Sequence, residues 1–217
     1  IYNKTWSVDV FDNNKIVVIT VTYHPDISLL SQQMTQLHDY SWIVFDNNSN
    51  QDELDLIESM IDKRPDTYLI KNNKNIGLAS AINTAVDFLF NQKINADFVL
   101  LLDQDSIPLK KSIEILKREF HKLEEKGVPV GCIGPTMVDM QTGLQHGFHT
   151  ISRGMWKRYF PENLNFKPIQ CSSINGSGTF MRLNLFKEAG GLKGDFFIDH
   201  IDTEWSFRVI KHGYKLF

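Results

Sequence analysis

The chain has 217 residues, 42% of them hydrophobic, with a net charge of −3 from interspersed acids and bases. That suits one large domain or two tightly joined halves, and excludes electrostatic capture of nucleic acid. Cys132 and Cys171, the only two cysteines, are too few and too far apart for a disulfide framework or a zinc site and read as free thiols in a reducing compartment.

Lys15 to Thr22 is β-branched and continuously apolar, as expected of a strand covered on both faces. Pro25-Asp26 opens a helical stretch to about His38, and Trp42 to Phe45 is a second buried strand ending at Asp46-Asn47-Asn48-Ser49. Residues 52–63 carry Leu54, Ile57 and Ile61 at helical spacing. Thr67 to Ile70 is a third strand, closed by Asn72 to Asn75, and Gly77 starts a helix with Leu78, Ile82, Ala85 and Leu89 on one face. Asp97 to Leu102 is a fourth strand, stopped by Asp103-Gln104-Asp105. This alternation predicts a mostly parallel sheet with helices on both faces. In such sheets ligands bind beyond the carboxyl ends of the strands. All four strands end there in polar clusters, beginning with Thr22-Tyr23-His24, and together they read as a site.

The second half differs in character. Leu109, Ile113, Leu116, Phe120 and Leu123 mark an amphipathic helix ended near Gly127. Val130 to Pro135 is a short strand, and residues 139–168 are a loop or hairpin excursion rich in Gly, aromatics and polar groups. Asn175-Gly176-Ser177-Gly178 leads into a strand at Thr179 to Met181, and a helix covers Asn184 to Glu188. A last helix follows Asp202 and ends at Gly213, with Trp205, Phe207 and Val209 as its packing residues. Tyr214 to Phe217 begins another strand, so the chain is expected to be truncated at its C-terminus. No apolar run approaches the roughly 20 residues of a membrane span. The first residues do not resemble a signal peptide, and the expectation is a soluble, cytoplasmic domain.

Two carboxylates one residue apart at a buried strand end are costly unless a cation meets them. Asp103 and Asp105 therefore read either as a site for a hard divalent cation that also binds phosphate oxygens, or as a solvated polar strand end. On an extended chain the two side chains would point the same way.

Val21-Thr22-Tyr23, Val44 to Ser49, Asn75 to Ala79, Leu101 to Ser106, Asn175 to Gly178, Gly190-Gly191-Leu192 and Phe197 to Arg208 occur in the order found in family-2 glycosyltransferases. The chain resembles that family from about residue 15 to 217, and within it the rhamnosyltransferase-like branch. The resemblance implies a GT-A (Rossmann-like) α/β fold, with a mostly parallel central sheet flanked by helices and a small second sheet region. Residues 15–106 would form the nucleotide-sugar half and 107–217 the acceptor half of one domain.

It further implies inverting transfer of a sugar from a nucleoside diphosphate sugar, dTDP-rhamnose first and a UDP-hexose second. The acceptor would be a saccharide or lipid-linked saccharide in bacterial surface polysaccharide synthesis, at the inner face of the membrane. Mg²⁺ or Mn²⁺ would sit on Asp105 and Asp103, with Asp105 the firmer ligand and Asp103 inclined to the ribose. In many relatives a further metal-binding histidine lies downstream of this sequence's end. Thr22, Tyr23 and Asp46 would line the nucleobase pocket, and Gln104, Gly176 and Ser177 would contact the donor. Asp46 alternatively makes an Asx-turn. Asn75 contacts ribose or phosphate, caps a helix, or does both. Asp202 takes the place of the general base, with Asp199 next, and is also a candidate helix cap; Glu204 should point away. The usual Glu-Asp pair here reads Ile201-Asp202. A sugar-nucleotide-binding module without activity is the alternative. A nucleotidyltransferase is a further one, but Tyr23-His24-Pro25-Asp26 stands where its Gly-rich phosphate loop would be.

Overall fold

A computed structural model describes residues 15–62, 64–160 and 167–217. The readings of the first fourteen residues, and part of the 139–168 excursion, lie outside the described residues. Four βα repeats build the first half: β1 (Ile16–Thr22), α1 (Ile27–Gln36), β2 (Ser41–Asp46), α2 (Gln51–Ile61), β3 (Thr67–Lys71), α3 (Leu78–Asn91), β4 (Phe98–Asp103) and α4 (Ser112–Glu125). The helices start where the local chemistry directs. Asp26 caps α1 by accepting from the Ser28 and Leu29 amides, and Asn50 with Glu53 closes a reciprocal capping box on α2.

Then come β5 (Val130–Ile133), β6 (Met137–Val138), β7 (Gln145–His146), β8 (Phe148–Ser152), β9 (Met155–Tyr159), β10 (Phe180–Arg182), α5 (Leu183–Glu188), α6 (Ile201–Lys211) and β11 (Lys215–Leu216). The central sheet has seven strands in the order β11-β5-β10-β4-β1-β2-β3. All run parallel except β10, which is antiparallel to both β4 and β5. Alternate side chains feed two cores. Val17, Ile19, Ile43, Phe45, Val99 and Leu101 pack beneath α3, α5 and α6. Ile16, Val18, Trp42, Val44, Phe98 and Leu100 pack beneath α1, α2 and α4. Burial on both faces is why these strands carry near-continuous apolar runs. The excursion resolves into two hairpins, β6–β7 and β8–β9, each a two-stranded sheet outside the central one.

Register sets the strand ends level. Thr22 pairs with Asp46, Val21 with Asp103, and Asp46 with Lys71, so the polar clusters share one edge as expected. Because β10 runs backwards, the chain before it crosses that same edge, and Gly178 donates its amide to the Leu101 carbonyl at 2.7 Å.

Two positions differ from the sequence reading. Lys111 takes a left-handed φ of 66° and α4 begins only at Ser112, so Leu109 lies ahead of the helix, 79% exposed. Phe207 sits two residues beyond buried Trp205, roughly 200° around a helix. It is therefore exposed and meets Trp156 of β9 instead of the core.

Candidate active site

A cavity of about 720 Å³ opens at the carboxyl edge of the sheet. Tyr23, Asn75, Asp103, Gln104, Asp105, Gly176, Ser177, Asp199 and Asp202 all line it, drawn from segments nearly 180 residues apart. Thr22 and Asp46 do not. Thr22 is wholly buried and donates its hydroxyl to Asp46 Oδ1 at 3.0 Å, while Asp46 Oδ2 accepts the Ser49 amide at 3.0 Å. The turn-forming role of Asp46 is thus realised, and its 1% exposure leaves the carboxylate no open face on the cavity.

The strand β4 ends at Asp103 itself. The Ser106 amide then closes a turn on the Asp103 carbonyl at 3.1 Å, so Asp105 occupies a turn position and not the next strand position but one. Both carboxylates still reach the same cavity. Gln104 is used internally: its Oε1 accepts the Tyr23 amide at 2.8 Å and its Nε2 donates to the Tyr23 carbonyl at 3.3 Å. Ser177 accepts the Asp103 amide at 3.0 Å and donates to the Ser106 hydroxyl oxygen at 2.8 Å. These two side chains tie the turn to the loops on either side of it.

Asp103 ends β4 exposed to the cavity, with the cavity wall close around it. Loss of hydration there, reinforced by the carboxylates of Asp105 and Asp202, pushes its pKa up from 3.8 to about 6. Negative charge is therefore gathered with no lysine or arginine lining the cavity among the described residues. Among the described residues no three His, Cys, Asp or Glu side chains form a ready-made metal cage. Two carboxylates on one turn are instead a partial, all-oxygen donor set. They fit a hard cation of the Mg²⁺ or Mn²⁺ kind, whose shell is ordinarily completed by water and phosphate oxygens.

Beside them Asn47 and Asn75 form an amide pair that sequence reasoning half missed, since only Asn75 was singled out. Asn47 Nδ2 donates to Asn75 Oδ1 at 2.9 Å, and Asn47 Oδ1 accepts the Ile76 amide at 3.0 Å. Asn75 Oδ1 also accepts the Gly77 amide at 2.9 Å. The first free amide of α3 is met by a distant backbone group: Leu78 N donates to the Phe197 carbonyl at 2.7 Å. The N-terminus of α3 is thus occupied by the chain itself. Asn47, Asn75, Gly77 and Leu78 line the cavity there.

Phe197 belongs to a tight connection, Gly194 to His200, that precedes α6. Phe197 and His200 both hold positive φ, 57° and 60°, a strained choice for residues with side chains. The connection delivers Asp199 and Asp202 to the cavity wall. Asp202 is the second residue of α6 and not its cap, because His200 holds that position. Its Oδ1 nevertheless accepts the Thr203 amide at 2.7 Å, leaving Oδ2 without a protein partner among the described residues. A Cβ on Gly176 would lie 3.9 Å from Asp202 Cβ, which places the Asn175–Gly178 loop against the candidate base. Glu204 turns away as expected. It holds Arg208 through two bonds, 2.9 and 2.5 Å, and that guanidinium also donates to the carbonyls of Ala189 and, at 2.6 Å, Gly191 beyond the end of α5.

Residues 27–190, well over half of the chain, match the sequence profile of glycosyl transferase family 2. The chain belongs to that family. It is 25% identical over 206 residues to the dTDP-rhamnosyl transferase RfbF of Shigella flexneri, covering 93% of this chain and 65% of that one. This chain therefore spans a little under two-thirds of that relative. The fold is that of the GT-A glycosyltransferases. A mannosyltransferase from Pyrobaculum calidifontis, solved with GDP-Man and Mn²⁺, superposes with a TM-score of 0.64 at 15% identity, over 93% of this chain and 53% of that one. Residues 1–349 of S. aureus TarS, solved with UDP, superpose with a TM-score of 0.54 at 16% identity, over 88% and 54%.

Proposed function

We propose that this domain transfers a sugar, with inversion, from a nucleoside diphosphate sugar to an acceptor hydroxyl. The donor is dTDP-rhamnose and the acceptor a saccharide or lipid-linked saccharide of a bacterial surface polysaccharide. The observation that carries the reading is the arrangement of Asp103, Asp105 and Asp202 around one cavity at the carboxyl edge of the sheet. Membership of family 2 and the rhamnosyl-transferring relative support the chemistry and the sugar.

In this reading residues 15–106 hold the donor and residues 107–217 the acceptor. Asp105, with Asp103, would hold Mg²⁺ or Mn²⁺, which when bound supplies positive charge for the departing diphosphate. The Asn75 amide donates to ribose or phosphate oxygens. Gly176 and Ser177 let the donor sugar approach the backbone closely. Asp202 Oδ2 accepts the acceptor's hydroxyl proton while that oxygen bonds the anomeric carbon and the bond from that carbon to the diphosphate oxygen breaks on the opposite face. Two buried free cysteines support a cytoplasmic setting, and a lipid-linked acceptor would bring the domain to the inner face of the membrane.

The test is Asp202→Asn assayed against dTDP-rhamnose and a panel of UDP-hexoses, with and without Mn²⁺. The expected result is loss of transfer and of donor hydrolysis by about 100-fold or more, about 100-fold being the lower end of what a general base contributes. Metal-dependent stabilisation by the nucleotide should persist in the variant. Full activity in Asp202→Asn refutes the assignment of the base. A wild-type chain that binds sugar nucleotides but neither transfers nor hydrolyses them favours a binding module instead.

A further inference from the structure

Gln33 is an anomaly on the buried face of α1. It stands between Leu30 and Leu37 at helical spacing, and none of its surface reaches solvent. A buried primary amide carries two N–H donors and a carbonyl acceptor that all need partners. Here all three are met, and the partners define a path. Gln33 Nε2 donates to the carbonyl oxygens of Asp103 at 2.8 Å and Ser106 at 2.5 Å, the two ends of the turn that holds Asp105. Gln33 Oε1 accepts the Thr20 hydroxyl at 2.7 Å, and Thr20 Oγ1 accepts the Trp42 indole N–H at 2.9 Å. Thr20 lies on β1 and Trp42 on β2, both interior strands, and both residues are buried.

The turn's other ties, to Ser177 and Tyr23, come from loops at the cavity itself. Gln33 reaches it from the packed interior. One planar amide gripping both ends of a four-residue turn fixes their separation, and the Thr20–Trp42 chain fixes the amide. Low local dielectric strengthens each bond in such a buried series.

We propose that Gln33 is the positioning residue of the Asp103–Ser106 turn, setting the reach of the Asp105 carboxylate towards a divalent cation and diphosphate oxygens without touching either. The inference rests on the donor-site reading given above. Gln33→Met keeps the volume and removes both donors, so the turn loses its inner grip while the core stays filled. The control is Ile57→Ala, a buried change in α2 on the same side of the sheet but remote from the turn.

The experiment is a Mn²⁺ titration followed by electron paramagnetic resonance, with dTDP or UDP present, well below the melting temperature of each variant. Gln33→Met should weaken Mn²⁺ binding by about 10-fold or more, the effect usual for groups that orient metal ligands. Ile57→Ala should melt lower yet bind Mn²⁺ as the wild type does. Thr20→Val, which frees Gln33 at its far end, should weaken Mn²⁺ binding in the same direction and less, and it serves if Gln33→Met does not fold. Unchanged Mn²⁺ affinity in Gln33→Met, or in Thr20→Val where only that variant folds, overturns the positioning role. Wild-type protein that binds no Mn²⁺ with either nucleotide overturns the donor-site reading itself, and this role with it.

Discussion

Gly77 carries a load that its place at the start of a helix does not announce. Its φ is 81° and ψ 160°, a backbone region essentially reserved for glycine. A Cβ placed there would also lie 2.6 Å from Phe197 Cδ2 and 2.8 Å from the Phe197 carbonyl oxygen. That oxygen is the acceptor for the Leu78 amide at the head of α3. Gly77→Ala therefore meets two costs at once. The backbone strain is about 1–3 kcal/mol. Pushing Phe197 away strips the helix of its cap, a further 1 kcal/mol or so for the hydrogen bond. A total near 3 kcal/mol corresponds to a fall in melting temperature of roughly 6–12 °C for a domain of this size.

Gly127 provides the control, because its φ is 72° but nothing lies within 4 Å of where its Cβ would stand. Gly127→Ala should cost only the left-handed backbone term, about 1–2 kcal/mol. Differential scanning calorimetry of both variants separates strain from collision. Gly77→Ala should also lower transfer, since displacing Phe197 moves the connection that leads to Asp199 and Asp202. Equal melting temperatures for the two variants would refute the collision. Unaltered activity in a destabilised Gly77→Ala would refute the coupling of the α3 cap to the proposed base, Asp202.

The remaining predictions concern charge. Asp103 has a folded pKa raised to about 6 from 3.8, so in that interval the folded chain keeps a proton that the unfolded chain has released. Its contribution to stability is complete below pH 3.8 and lost as pH rises through about 6. With a chelator present, Asp103→Asn should thus melt with the wild type near pH 4 and above it near pH 7.5; a pH-independent difference would refute the linkage. Glu204→Gln should retain transfer where Asp202→Asn loses it, because Glu204 faces Arg208 and not the cavity. Arg208→Met should destabilise by about 2 kcal/mol, between an exposed and a buried ion pair, since the Arg208 and Glu204 side chains are 16% and 24% exposed and the guanidinium also serves Ala189 and Gly191. A melting temperature within a degree of wild type would show that the pair contributes nothing.

The parallel half of the fold was legible because β1, β2 and β4 are covered on both faces and carry unbroken apolar runs, each stopped by a polar cluster. What those clusters do was less legible. Asp46 and Asp103 look alike at the ends of the two strands that flank β1, yet Asp46 is consumed by Thr22 and Ser49 while Asp103 opens on the cavity. Pattern cannot separate them, because the difference lies in which loop folds back. The placement of Phe207 failed for a simpler reason: Trp205, Phe207 and Val209 were grouped at a spacing of two, which suits a strand and not a helix. Gln33 was visible in principle, as the one polar residue in the Leu30–Leu37 stripe. Its meaning was not, since its partners lie some seventy residues away. Phe197 and His200 gave no signal at all, because left-handed backbone at ordinary residues is imposed by tertiary contacts and not by their own preferences.

These devices share one logic. The carboxylates of Asp103, Asp105 and Asp202 repel one another, and left alone their loops would splay apart. Opposing that are ties that use neutral groups only: Gln33 and Ser177 on the turn, Gln104 on Tyr23, and the Phe197 carbonyl on α3. Among the described residues no lysine or arginine lines the cavity. A protein cation there would relieve the repulsion but would also neutralise the charge that the proposed divalent ion would meet. Neutral ties hold the geometry while leaving the negative field intact. This is the arrangement expected where stability is given up locally so that an incoming cation and diphosphate complete the site.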